Sequence, residues 1–304
     1  MDQHKNTVII IAGPTASGKT ALAIQLAEYY KTEIISADSR QCYKELNIGV
    51  AKPSVEELRR VKHHFIDSHS IHESVTAQTF EQYALKSLSE IFKKNNVAVM
   101  AGGTGLYIKA FCEGLDEIPP IDEAIKRNII QQYHLNGLGW LQHQLKEKDA
   151  AFWSIAEQQN PHRLIRALEV LESTGKSITF FRIKKTVHRP FNIIKLGINI
   201  AKEELHRNID RRVDEMMQYG LQDEVRYLLP YKDMAALQTV GYKEMFQFFE
   251  NNVGLPEAIN QIKSNTKKYA KRQITWFKKD ENIKWISDVE LECITAHLSS
   301  ILDN

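Results

Sequence analysis

Residues 7–20 run Thr7-Val8-Ile9-Ile10-Ile11-Ala12-Gly13-Pro14-Thr15-Ala16-Ser17-Gly18-Lys19-Thr20. Up to Ala12 the stretch is β-branched and apolar without a break, the pattern of a strand buried on both faces of a parallel sheet. Gly13-Pro14 ends that run, and an amphipathic stretch from Lys19 to Tyr30 follows. The order is strand, loop, helix. The loop matches GxxxxGK[ST] at every fixed position, a pattern whose backbone N–H groups and following helix N-terminus wrap phosphate oxygens. In such a loop Gly13, Pro14, Thr15, Ala16, Ser17 and Gly18 surround the anion, Lys19 holds the terminal phosphates and Thr20 ligates Mg²⁺. Nucleotide binding, ATP included, is what the loop alone would permit.

Outward from the loop, Glu33 to Ala37 reads as a second strand ending at Asp38-Ser39. Residues 75–94 repeat apolar side chains near a period of 3.6 and read as a helix. Val97 to Met100 is a third apolar strand running into Gly102-Gly103-Thr104-Gly105. Strands alternating with helices predict an α/β fold with a mostly parallel sheet. The pattern changes near Leu115, where Asp116-Glu117-Ile118-Pro119-Pro120 is a punctuated linker. From Asp122 to Gly175 the reading is helical, broken at Asn160-Pro161 and ended by Gly175. Ile193 to Ile200 returns as a strand, and 203–229, 240–250 and 255–279 read as helices.

The chain has 304 residues, enough for one large or two ordinary domains, and 43% hydrophobic against 26% charged residues excludes a disordered chain. A net charge of +2 leaves nucleic-acid affinity to local clustering. Two acid-free runs supply it. One carries Lys176, Arg182, Lys184, Lys185, Arg189, Lys195 and Lys202. The other carries Lys263, Lys267, Lys268, Lys271, Arg272, Lys278 and Lys279, with Tyr269, Trp276 and Phe277 interleaved. Basic side chains with aromatics suit a nucleic-acid backbone and its bases. The scattered Cys42, Cys112 and Cys293 form no CxxC pair and fit a reducing, cytoplasmic setting. No apolar run near the start reaches the length of a membrane span.

ATPases and GTPases usually end a second apolar strand in an Asp for Mg²⁺. Here Val97–Met100 leads into Ala-Gly-Gly-Thr, so the loop is open to a diphosphate other than ATP. The Gly102–Tyr107 turn offers N–H groups and the Thr104 hydroxyl, but a tight turn explains its glycines equally well. Asp38 is either a general base or Mg²⁺ outer ligand, or simply a helix N-cap. Arg207, Arg211 and Arg212 stand among Glu203, Glu204, Asp210 and Asp214, and the plainer reading is a surface ion-pair helix. His63-His64 with Asp67 lack metal-ligand spacing and read as structural.

Further segments complete an ordered set: Asp38-Ser39 with Tyr43, Ile48-Gly49 with Ala51-Lys52-Pro53, and His63 to Asp67. Then come Gly102 to Tyr107, Arg163 to Val170, Arg212 to Met216, Gly241 to Glu244 and Lys271 to Trp276. The set resembles the bacterial-type tRNA dimethylallyltransferases (tRNA isopentenyltransferases) up to about Trp285. The resemblance implies transfer of a dimethylallyl group from dimethylallyl diphosphate to the N6 amine of the adenosine 3′-adjacent to the anticodon. The tRNAs concerned read UNN codons, and the products are N6-(dimethylallyl)adenosine and diphosphate. It implies a P-loop NTPase-like parallel sheet core flanked by helices, spanning 1–115 and 190–304. It places a helical insertion domain, contacting tRNA, at 116–189.

By the same resemblance Asp38 is the general base, Thr15 contacts the diphosphate bridging oxygen, and Lys19, Arg212 and Thr20 with Mg²⁺ stabilise the leaving diphosphate. Asp38, Ser39, Arg40, Gln41, Thr104, Arg127, Gln159, Asn160 and Arg163 match positions that contact tRNA. Asn160 replaces the commoner Asp, and Arg40-Gln41 replaces small or apolar residues. The implied partners are the tRNA anticodon stem-loop and dimethylallyl diphosphate, with no membrane, no obligate protein partner and a monomeric state. The alternatives are a P-loop small-molecule ATP-dependent kinase and a non-catalytic RNA-binding module.

Overall fold

Strand β1 (Thr7–Ala12) lies inside a six-stranded parallel sheet in the computed structural model, which describes residues 6–183, 187–287 and 290–302. Every β1 residue is buried, as its unbroken apolar run predicts. Alternation decides which face each side chain joins. Ile9 and Ile11 pack with Leu22, Leu26 and Ile24 of helix α1 (Lys19–Tyr29), while Val8 and Ile10 join Phe80, Leu88 and Met100 on the opposite face. Each fully buried aliphatic side chain contributes about 1.5–3 kcal/mol, so this strand is a principal anchor of the core.

The remaining strands are β2 (Ile34–Ser36), β3 (His63–His64), β4 (Val97–Gly102), β5 (Asn192–Ile198) and β6 (Ile283–Ile286), in the order β3-β2-β4-β1-β5-β6. Ala12 is in register with Gly102 on one side and Gly197 on the other. The carboxyl ends of β1, β2 and β4 therefore finish together and present the phosphate loop, Asp38 and the Gly-rich turn at one edge. Ligands bind at that edge of open α/β sheets. Helices α1, α2 (Val55–Arg60) and α3 (Ala77–Ile91) connect the first four strands, and α4 (Gly105–Glu113) follows β4.

The chain divides into two compact units, Met1–Cys112 with His188–Asn304, and Glu113–Val187. The second unit is helical: α5 (Glu123–Lys148), α6 (Ala150–Trp153), α7 (Pro161–Thr174) and α8 (Ile178–Phe181). Leu141, Leu145, Leu164 and Leu168 form its own core. Asn160 caps α7 by accepting from Arg163 N, and Gly175 ends it at φ 69°. Gly137, at φ 73°, kinks α5.

After β5 the first unit continues with α9 (Lys202–Gln218), α10 (Leu221–Leu228), α11 (Tyr242–Phe249) and α12 (Leu255–Phe277), and after β6 with α13 (Leu291–Leu302). The single helix expected over 203–229 is two, because Gly220 turns the chain at φ 97°. Strand β6 and helices α2 and α13 were not expected from the sequence. Among the described residues, no helix is long and apolar enough to cross a membrane.

Candidate active site

The phosphate loop is a turn with two residues in the left-handed region, Ala16 at φ 62° and Gly18 at φ 88°. Gly18 precedes α1, whose N-terminus has no side-chain cap and so keeps its first N–H groups for an anion. The Pro14 carbonyl accepts from Ser17 Oγ at 2.8 Å and from Lys19 Nζ. Gly13 admits no easy methyl group, since an added Cβ would sit 3.2 Å from Ser17 Oγ. Gly13 and Pro14 thus form the loop root, whereas Thr15 through Thr20 line a cavity of about 260 Å³.

Asp38 follows β2 and does not cap a helix, because a turn follows it. Its Oδ1 accepts from Arg40 N at 2.8 Å and Gln41 N at 3.3 Å, which caps the turn. Oδ2 has no hydrogen bond among the described residues. The Gly-rich turn after β4 is tied to the same segment: Ser39 N donates to Thr104 Oγ1 at 3.0 Å, and Thr104 N donates to the Ala37 carbonyl at 3.1 Å. Its glycines answer close approaches. A Cβ on Gly102 would meet the Ala37 carbonyl at 2.1 Å, and one on Gly105 would meet Trp276 at 2.1 Å.

Arg212 of α9 departs from the surface ion-pair reading. It is half-buried, and its Nη1 donates to Thr15 Oγ1 at 3.1 Å. Arg211, its neighbour, does stay on the surface beside Glu215. Burial lowers the Arg212 pKa from its ordinary value, with Glu215 and Asp38 opposing the shift. Burial, then the Arg212 charge, lowers Lys19 to about 7, with Asp38 pulling the other way. Two cations packed beside one carboxylate make a site that gains from an arriving anion.

A second cavity, of about 410 Å³, is lined by Ser39, Arg40, Gly49, Gln238 to Gly241, Lys243 and Arg272. Both cavities are lined by Thr15, Asp38, Val50, Ala51, Arg212 and Tyr269, so three side chains the sequence nominated, Thr15, Asp38 and Arg212, stand where they meet. Tyr269, pushed up to about 12 by burial and then by Asp38, stays protonated there. Thr20 and Asp38 line the first cavity and supply hard oxygen donors. No cluster of three or more His, Cys, Asp or Glu converges on a point among the described residues. A set of few protein oxygens completed by substrate phosphates is the donor set Mg²⁺ takes.

Other nominated residues have structural work of their own. Arg40 Nη1 donates to the Ala235 and Ala236 carbonyls, and Gln41 Nε2 to those of Val50 and Ala51. Arg127, Gln159, Asn160 and Arg163 belong to the second unit; Arg163 is exposed and pairs with Glu157 at 2.8 Å. The basic runs are partly consumed. Lys263 and Lys267 pair with Asp214 and Asp210 of α9, Arg189 with Glu81, and Lys195 with Asp280. Lys268, Lys271, Arg272, Lys278 and Lys279 remain exposed, while Lys184 and Lys185 lie outside the described residues. In the sequence Gln273 stands in the Lys271–Trp276 segment without a role of its own and Glu224 is not singled out, because their partners are far away along the chain. His64 pairs with Glu33 at 2.5 Å, whereas His63 lines the first cavity, with its Nδ1 2.8 Å from the Val61 carbonyl.

Fold and loop define a phosphate-loop α/β protein with two joined cavities. A family model described as IPP transferase matches residues 41–280. A tRNA dimethylallyltransferase of Christiangramia forsetii is 48% identical over 280 residues, covering 92% of this chain and 93% of that relative. The full-length tRNA isopentenylpyrophosphate transferase of Bacillus halodurans matches in structure with a TM-score of 0.70 at 33% identity, covering 98% of this chain and 96% of that one. A eukaryotic dimethylallyltransferase acting on tRNA gives a TM-score of 0.76 at 25% identity, covering 97% of this chain and 78% of that one. The chain belongs to the IPP transferase family, the tRNA dimethylallyltransferases, and is an enzyme of the prenyltransferase class. That membership displaces the kinase and the non-catalytic RNA-binding readings.

Proposed function

We propose that the protein transfers the dimethylallyl group of dimethylallyl diphosphate to the N6 amine of the adenosine 3′-adjacent to the anticodon, in tRNAs reading UNN codons. The observation that carries this reading is the meeting of two cavities at Thr15, Asp38 and Arg212. One cavity has the walls of a diphosphate site, and the other is an opening through which a flipped base can reach it.

The residues then divide the work. N–H groups from Ala16 to Thr20, with Lys19, bind the diphosphate. Asp38 Oδ2 takes a proton from the N6 amine as that nitrogen bonds to the allylic carbon. The carbon–oxygen bond breaks, and its electron pair leaves with the diphosphate. Arg212 and the Thr15 hydroxyl face the oxygen on which charge develops, where preorganised donors act most strongly. Thr20, together with the diphosphate oxygens, would hold Mg²⁺, which would neutralise charge on the leaving group. Ser39, Arg40, Gln41 and Thr104 border the acceptor base, and Arg127, Gln159, Asn160 and Arg163 of the insertion contact the anticodon stem-loop. The enzyme acts as a cytoplasmic monomer.

Asp38→Asn is the direct test, because the amide oxygen still accepts from Arg40 N and Gln41 N. Transfer is expected to fall by about 10²–10⁴-fold while tRNA binding persists. Transfer within a factor of about three of wild type removes Asp38 as the base.

A further inference from the structure

Helix α12 sends one buried carboxamide into the site. Gln273 is 6% exposed, its Oε1 accepts from Thr15 N at 2.8 Å, and its Nε2 donates to the Gly103 carbonyl at 3.0 Å. One side chain thereby joins the phosphate loop to the Gly-rich turn, across 258 and 170 residues of sequence. The fit leaves no slack, for a Cβ on Gly103 would stand 2.2 Å from Gln273 Nε2. Because its N–H is occupied by Gln273, Thr15 offers the cleft its hydroxyl, and Arg212 holds that hydroxyl at 3.1 Å.

We propose that Gln273 is a positioning residue for the transfer reaction: its carboxamide fixes the orientation of Thr15, so that the hydroxyl stays beside Arg212 where the two cavities meet. The inference rests on the function proposed above. Without the carboxamide, the partly buried Thr15 N–H loses its acceptor. An unpaired buried donor is costly, so the peptide turns toward the anion instead. That rotation withdraws the hydroxyl from the bridging oxygen. Gln273 acts through Thr15 and never touches substrate.

The test is a double-mutant cycle on dimethylallyl transfer to unmodified tRNA, which isolates coupling between the two positions. Gln273→Leu is expected to lower kcat at least about tenfold while tRNA affinity holds. In a Thr15→Val background the same change is expected to cost less than about threefold. Equal losses in both backgrounds overturn the inference and leave the proposed function standing. A wild-type enzyme that transfers nothing overturns the function and the inference together. If Gln273→Leu does not fold, Gln273→Glu replaces it. Only its protonated carboxyl donates to the Gly103 carbonyl, so its deficit should grow as pH rises through the carboxyl range. A deficit independent of pH contradicts the positioning role.

Discussion

Lys19 links the site to pH. Burial and the neighbouring Arg212 charge bring it from 10.5 to about 7. Below about pH 7 both folded and unfolded chains hold this proton, and the folded chain bears the cost of the buried ammonium. Between about pH 7 and 10.5 the unfolded chain holds a proton the folded one has released, so this residue makes stability rise with pH. An arriving diphosphate favours the charged form. Calorimetry at about pH 8, in two buffers of different ionisation enthalpy, should show net proton uptake on dimethylallyl diphosphate binding. Lys19→Met should abolish that uptake, and its persistence there assigns the proton elsewhere. At this scale the sequence was informative wherever chemistry follows a local pattern. Gly18, Lys19 and Thr20 were legible from spacing alone. Arg212 was not, because its charged helix neighbours conceal which face turns inward.

Helix α10 shapes the cavities from behind. Glu224 accepts from the backbone N–H groups of Asn47, Ile48 and Gly49, and from the Tyr242 hydroxyl at 2.6 Å. The segment it holds continues into Val50 and Ala51, which line both cavities. Hydrogen bonds to a charged acceptor are worth about 1.5–3 kcal/mol. Glu224→Gln removes the charge and sets an amide donor against N–H groups. Denaturant melts should show a loss of roughly 1–3 kcal/mol, and kcat/KM for dimethylallyl diphosphate should fall about tenfold. Unchanged melts and kinetics would mean the segment holds itself. Strand β1, α1 and β4 were legible as elements because they are long, periodic or continuously apolar. Strand β6 reads Ile-Lys-Trp-Ile, short and mixed, and exists because β5 offers it an edge. The Gln273 and Glu224 contacts arise only once the chain has folded, so no local window contains them.

For the whole molecule, the proposed diphosphate chemistry belongs to the unit built on the sheet and the proposed tRNA contact in part to the helical insertion. The two functions should therefore separate under mutation. Arg127→Ala combined with Arg163→Ala is expected to raise KM for tRNA severalfold to about tenfold and leave KM for dimethylallyl diphosphate unchanged. A joint rise in both constants contradicts that division. Prenyl transfer to an adenosine N6 is read out by mass. Wild-type protein is incubated with unmodified tRNA bearing a UNN-reading anticodon, Mg²⁺ and dimethylallyl diphosphate, and the tRNA is digested to nucleosides. An adenosine heavier by one dimethylallyl unit, located next to the anticodon and absent with the Asp38→Asn variant, is the expected result. An unshifted adenosine from a folded, tRNA-bound enzyme would contradict it.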